Sequence, residues 1–212
     1  MADGKLKLYG VAASTCTGRV LVTLFEKGVE DFELKVVNVR KGEGKTPEHK
    51  SLQPFGLIPV LQDGDLTLFE SRAIIRYIAN KFEGQGTPIY GATPIERALV
   101  EQWLEVEAQN FNGACKDALK YAAASPVDEE KLAQSLEKFG KVLDIYEARL
   151  ATTQFLAGDF ISLADLSHLT TGWKLFDKYK KGSVCFDGRP HVKAWWESIS
   201  SRPAWKRVLE MI

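Results

Sequence analysis

Residues 56–82 read GLIPVLQDGDLTLFESRAIIRYIANKF. Apolar residues cluster on both sides of Asp63-Gly64, a dipeptide suited to the positive φ of a tight hairpin turn. The stretch around it is therefore expected to form two short antiparallel strands. From Ser71 the period changes. Ala73, Ile74, Tyr77, Ile78 and Phe82 share one face of a helix over 71–82. Pro59 has no backbone donor, which confines it to strand starts, edges or bulges. It either opens the strand plainly or forms a cis bond that leaves the backbone of Ile58 free to pair with a ligand's backbone. Glu70 and Ser71 stand where strand gives way to helix. Ser71 reads as an N-cap. The same helix end also offers unpaired N–H groups and partial positive charge, enough to hold a carboxylate. Glu70 beside it could accept an ammonium, so the pair suits an amino acid head group.

Working outward toward the N-terminus, residues 32–39 (FELKVVNV) alternate as a strand, and residues 5–9 (KLKLY) do the same. Between them lies a helix over 15–28, with Val20, Leu21, Leu24 and Phe25 on one face and Gly28 as its stop. Residues 40–54, punctuated by Gly42, Gly44, Pro47 and Pro54, read as an irregular surface loop. The order is βαβ, loop, ββα. Ser14, Thr15 and Cys16 sit at the start of the first helix. Ser14 alone reads as a cap. A thiol brought there would have its pKa lowered by the helix end, and a hydroxyl donor would stabilise the thiolate further. Together the three sites outline an extended peptide with a γ-linked amino acid at one end and a sulfur in the middle.

Toward the C-terminus the composition shifts. Residues 84–94 (GQGTPIYGATP) hold three glycines and two prolines, which marks a linker. Beyond it only helical spacing is found. Leu99, Trp103, Val106 and Asn110 step by three or four, as do Leu132, Leu136, Phe139, Leu143, Tyr146 and Leu150. Leu163, Leu166, Leu169, Trp173 and Phe176 form a third stripe, and a last helical region runs from about 190 to 211, broken near Arg202-Pro203. The expected domains are 1–83, an α/β unit; 84–93, a linker; and 94–212, all-helical. A chain of 212 residues can carry two small cores. With 28 basic and 28 acidic residues, nothing marks a nucleic-acid or anionic-membrane surface. No apolar run reaches the length of a membrane span, and MADGKLKLYG lacks the apolar region of a signal peptide. Cys16, Cys115 and Cys185 are odd in number and widely spaced, which points to a reducing, cytoplasmic setting. His49, His168 and His191 show no metal-ligand spacing with them, so no metal is expected.

Set side by side, KLYGVAASTCTGRVL, Pro54-Phe55-Gly56-Leu57-Ile58-Pro59, ESRAI at 70–74 and LAGDFISLADLSHL at 156–169 are specific as a combination. Over essentially its whole length the chain resembles a cytosolic glutathione transferase, most closely the plant phi class. The resemblance implies a thioredoxin-like N-terminal domain that binds glutathione, followed by an all-α domain that contributes the pocket for a hydrophobic electrophile. It implies conjugation of the glutathione thiolate, detoxification chemistry, a peroxidase activity compatible with the same thiolate, and a homodimer. Glutathione is then a co-substrate, and no cofactor is expected. By position, Ser14 matches the serine that donates to the glutathione sulfur. Ile58, before a cis Pro59, matches the residue whose backbone pairs with the cysteinyl unit. Glu70 and Ser71 match the residues that hold the γ-glutamyl end. Lys45 matches a basic position near the glycyl carboxylate, or is a solvated loop lysine. Phe55 matches an aromatic that inserts into a partner subunit, or is a local core residue. Ser162 and Asp165 match an N-capping box and belong to folding. Val11, Ala12, Phe111, Cys115 and Leu119 are expected to line the electrophile pocket between the domains.

The chain departs from the phi pattern at four places. Leu57, in the glutathione-binding loop, stands where glutamine is usual, Gly44 where histidine is frequent, Ala12 where proline is common, and Gly18 where a second arginine is usual. Losing one side-chain hydrogen bond at Leu57 would weaken glutathione binding by up to about tenfold. Relatives that use a catalytic cysteine, as thiol transferases or dehydroascorbate reductases, carry it at the position of residue 14 or 15. Cys16 is one or two residues on, a rotation of roughly 100–200° on a helix, so it is expected to be a spectator. A further alternative is a non-catalytic ligand carrier or an interaction module like the N-terminal domain of elongation factor 1-gamma. Ser14, Glu70 and Ser71 favour an enzyme. The chain is also read as ending at Ile212 with no appended domain, which weighs against the interaction module.

Overall fold

The computed structural model describes residues 5–212. Met1–Gly4, part of the stretch read for a targeting signal, lie outside the described residues. The chain divides into two compact units, one comprising the chain up to Pro88 together with Pro203–Ile212, the other Ile89–Arg202.

The first unit is built on a four-stranded sheet of order β2-β1-β3-β4, with β1 at Leu6–Gly10, β2 at Phe32–Val36, β3 at Val60–Asp63 and β4 at Leu66–Phe69. β1 and β2 run parallel, Leu6 opposite Phe32, while β1–β3 and β3–β4 are antiparallel, Leu61 facing Leu8 on one side and Leu68 on the other. The turn at Gly64, φ +57, joins β3 to β4 as the sequence predicts. Leu6, Leu8, Val60 and Leu61 enter the core with Leu21 and Leu24 of α1 (Thr15–Glu26) and Ile74, Ile75 and Ile78 of α3 (Ser71–Lys81), and α1 packs on α3.

The segment 40–54 corrects one expectation. It is not irregular: single 3₁₀ turns at Val39–Lys41 and Glu43–Lys45 lead into a short helix, α2, at Pro47–Leu52. Thr46 caps α2 by accepting from the His49 N–H at 3.2 Å, and Pro47 occupies the first turn, where its missing donor costs nothing. The strand read over 32–39 stops at Val36, because Asn38 accepts from the N–H groups of Arg40 and Lys41 and starts the 3₁₀ turn.

The linker is tied to α1. Thr87 donates its hydroxyl to Glu26 Oε2 at 2.8 Å, and Lys27 Nζ donates to the Thr87 carbonyl at 3.0 Å. Gly86, at φ +54, lies against the Glu26 and Lys27 backbone so closely that a Cβ would collide with it. The last helix, α10 at Pro203–Glu210, packs on α1 within this same unit, whereas the sequence reading kept 203–212 with the helical domain. Trp205 and Val208 are buried there, and the Arg207 guanidinium lies 4.4 Å from the Phe25 ring centroid.

The second unit is helical: α4 (Pro94–Val106), α5 (Asn112–Ala122), α6 (Glu129–Leu150), α7 (Leu163–Trp173), α8 (Gly182–Phe186) and α9 (Pro190–Ser200). A π-helical turn at Glu107–Phe111 connects α4 to α5. The buried stripe of α4 is Val100, Trp103 and Leu104, continued by Glu107 and Phe111, one residue off the predicted Leu99–Val106–Asn110 line. The α6 stripe falls where the spacing predicts except at Leu136, which is half-buried while Ser135 beside it is buried; Leu132, Phe139, Leu143, Tyr146 and Leu150 are buried. α7 is buried from Leu163 to Gly172. Its His168 ring is 4.4 Å from that of Phe111. His168 Nδ1 lies 2.7 Å from the Ala164 carbonyl, which only accepts, so Nδ1 carries the proton and Nε2 accepts from the Tyr146 hydroxyl at 2.9 Å.

Candidate active site

Ser14 is the N-cap of α1, in extended backbone at φ −74 and ψ 131. Its carbonyl accepts from Gly18 N–H at 2.8 Å, and its Oγ accepts a long bond from Thr17 N–H at 3.4 Å. The side chain is half-buried, and no described residue accepts its hydroxyl proton. A half-buried O–H with an uncommitted proton at a helix N-terminus is a donor for an anion. Cys16, two residues on, is also half-buried.

The Ile58–Pro59 bond is cis, as the second reading of Pro59 requires. Three side chains from the segment first read as loop hold the residues before it. Lys45 Nζ donates to the Phe55 carbonyl at 2.9 Å. Gln53 Oε1 accepts from Leu57 N–H at 3.3 Å. The buried His49 places Nε2 2.8 Å from the Leu57 carbonyl, so Nε2 is the protonated nitrogen. His49 and Gln53 were missed by sequence reasoning. The signal that could have found them is Thr46-Pro47, a cap followed by a first-turn proline. Gly44 packs on the same loop. A Cβ there would lie 2.5 Å from the Gly56 carbonyl oxygen, so this backbone excludes any side chain at position 44. Phe55 and Leu57 project outward, 65% and 53% exposed, and the Phe55 ring meets that of Phe69 edge-on at 6.4 Å.

Glu70 precedes α3 with φ +71 and ψ 106, a conformation that a non-glycine residue holds only at a cost of about 1–3 kcal/mol. Its carboxylate is exposed and unpaired among the described residues. Ser71 is 4% exposed, and its Oγ accepts from Arg19 Nη1 of α1 at 2.8 Å. Ser14, the Leu57–Pro59 loop and Glu70-Ser71 therefore all belong to the first unit, at the starts of α1, β3 and α3.

The predicted pocket residues fare differently. Val11 is half-buried and Ala12 is 8% exposed, in the loop after β1. Leu119 of α5 is half-buried. Phe111 and Cys115 correct the expectation: both are fully buried in the helical unit, Phe111 with its ring 5.1 Å from that of Phe139, and Cys115 with its thiol 3.8 Å from the Thr171 carbonyl. A side chain with no accessible surface cannot line a pocket. Burial pushes the Cys115 thiol well above its usual range and the Cys185 thiol up to about 12, so neither supplies a thiolate at neutral pH. Among the described residues no cluster of His, Cys, Asp and Glu could hold a metal, and no helix is long and apolar enough to cross a membrane.

Two family models match the chain: the glutathione S-transferase N-terminal domain over residues 4–80 and the C-terminal domain over 113–203. The chain is 49% identical to glutathione S-transferase F10 of Arabidopsis thaliana, covering 90% of each sequence. It resembles the crystal structure of glutathione transferase F2 from Populus trichocarpa, with TM-score 0.91, 44% identity and coverage of 97% of this chain and 98% of that one. It also resembles glutathione S-transferase I from maize in complex with an atrazine–glutathione conjugate, with TM-score 0.86, 41% identity and 98% of both chains covered. The chain belongs to the glutathione S-transferase family, in its phi class, and is a glutathione transferase.

Proposed function

We propose that this enzyme joins the sulfur of glutathione to hydrophobic electrophiles and that Ser14 stabilises the thiolate. One observation carries the reading: the Ser14 hydroxyl sits half-buried at the start of α1 with its proton uncommitted among the described residues. A thiolate beside it gains a charge-assisted hydrogen bond and the partial positive charge of the helix end. With an aryl halide, the thiol proton goes to solvent, the carbon–sulfur bond forms and halide leaves. The protein contributes thiolate stabilisation and proximity, and no protein nucleophile enters the scheme.

Residues 1–83 would hold glutathione, and the helices up to Arg202 would add contacts for the electrophile. The Ile58 backbone, framed by Leu57 and Pro59, would take the cysteinyl unit. Glu70 would take the γ-glutamyl ammonium, and Ser71 with the α3 N-terminus its carboxylate. Lys45 would take the glycyl carboxylate. The exposed Phe55 would insert into a second copy of the chain, as a homodimer in the cytoplasm. The test is conjugation of glutathione to a generic aryl halide by wild type and Cys16→Ala. Both are expected to be active at comparable rates. A wild type inactive toward the halide, or a folded but dead Cys16→Ala, would overturn the reading in favour of mixed-disulfide chemistry, which thiol transfer from a glutathione mixed disulfide would reveal.

With Phe111 and Cys115 in the core, Leu119 is the α5 side chain that would remain for the electrophile. Leu119→Ala is expected to raise the KM of the electrophile by roughly threefold to tenfold, at about 0.8 kcal/mol for each CH₂ no longer in contact. The KM of glutathione should hold. An unchanged ratio of the two would remove Leu119 from the site.

A further inference from the structure

We infer that Arg19 is a positioning residue for glutathione: it turns the Ser71 hydroxyl proton toward the γ-glutamyl carboxylate and fixes the start of α3 against α1. The inference rests on the assignment of Ser71 to the γ-glutamyl end. Arg19 is 1% exposed, and its Nη1 donates to Ser71 Oγ at 2.8 Å across 52 residues of sequence. A guanidinium has only donors, so toward Arg19 the hydroxyl can only accept. Its single proton is thereby directed elsewhere, and no described residue accepts it. Ser71 is 4% exposed, and a hydrogen bond to an anion made in so shielded a place is stronger than one made in water.

Charge points the same way. The Arg19 guanidinium reaches the first residue of α3, where the helix dipole already favours an anion. Its own backbone lies in α1, whose cap is Ser14. One buried side chain therefore links the helix that presents Ser14 to the residue that would receive the far end of glutathione. A shift at either end would move the sulfur relative to Ser14.

The test measures glutathione affinity by calorimetry, and the KM of both substrates, in wild type, Ser71→Ala, Arg19→Lys, Arg19→Met and the pair Arg19→Lys with Ser71→Ala. Lys keeps the charge and loses the fixed fork; Met keeps the bulk and loses the charge. Ser71→Ala is expected to weaken glutathione about tenfold, as loss of a hydrogen bond to a charged group does. Arg19→Lys should weaken it roughly threefold to tenfold and Arg19→Met by at least as much, with the KM of the electrophile unmoved. The pair should be no weaker than Ser71→Ala alone, because without the hydroxyl the route from Arg19 to the ligand is gone. Wild-type affinity in the Arg19 variants, equal movement of both KM values, losses that multiply in the pair, or failure of both single Arg19 variants to fold would each overturn the proposal and leave Arg19 a core residue. An unchanged affinity in Ser71→Ala would instead overturn the assignment of the γ-glutamyl end, and the proposal with it.

Discussion

Ser14→Ala is expected to lower kcat/KM for conjugation by about tenfold to a hundredfold at neutral pH, since a hydrogen bond to a charged group contributes roughly 1.5–3 kcal/mol. The same loss should raise the pKa of the bound thiol, moving the acid limb of the pH–rate profile up by about one to two units at 1.36 kcal/mol per unit. The sign follows from which form the hydroxyl favours. It donates to the thiolate and offers less to the thiol, so removing it penalises the charged form alone. The deficit should therefore be largest on the acid side and shrink as alkali makes the thiolate unaided. A thiolate of higher pKa is also the better nucleophile, with a Brønsted slope of about 0.4–0.5, which narrows the gap further at high pH. Stability should barely change, because the cap bond that Ser14 gives up, from Thr17 N–H, is already 3.4 Å long. Full pH–rate profiles of wild type and Ser14→Ala decide the matter. A deficit of the same size at every pH would make Ser14 a positioning group and remove it as the thiolate donor.

What the sequence made legible is what depends on neighbours along the chain. The hairpin at Asp63-Gly64, the cap of α1 at Ser14 and most of the α6 stripe from Leu132 to Leu150 rest on local turn chemistry or period, whereas Ser71, read as the cap of α3, is its first residue and Glu70 holds the cap position. α2 was hidden because six residues are too few to show a period, and its cap and first-turn proline look like loop punctuation. The α4 stripe slipped because Leu99 and Val100 both stand three or four residues from Trp103, so the period admits either line, and the slip is present at Val100 before the π turn begins. Phe111 and Cys115 fell on a helical face that could meet either solvent or the rest of the unit. Only the packing of Phe139, Tyr146 and His168 around Phe111 decides which. The Arg19–Ser71 bond and the return of α10 to α1 join residues far apart in sequence, and no window along the chain contains both partners. The strained backbone of Glu70 was equally invisible, since a glutamate at φ +71 is what local preference argues against.

The other large effect concerns folding. Asp165→Ala is expected to destabilise the helical unit by more than about 4 kcal/mol, enough to leave little folded protein when a whole domain has roughly 5–15 kcal/mol to lose. The residue is fully buried, and its carboxylate receives four donors. Leu156 N–H and Trp195 Nε1–H reach Oδ1 at 3.0 and 2.9 Å. Ser162 N–H and its hydroxyl reach Oδ2 at 2.9 and 2.8 Å. One side chain thus closes the start of α7, fixes the turn at Leu156 and anchors α9 through Trp195. Burial pushes the Asp165 carboxyl above its usual range, against the pull of those donors. Truncation strands three N–H groups that have no other acceptor to turn to, at about 1–3 kcal/mol each, while the Ser162 hydroxyl can rotate. Asp165→Asn should recover only part of the loss, since one amide oxygen can serve one pair of donors and its NH₂ faces the other pair. Urea unfolding followed by circular dichroism measures both variants. An Asp165→Ala protein within about 1 kcal/mol of wild type would show that the network contributes no more than a single ordinary hydrogen bond, and that α7 and α9 are held by their apolar faces alone.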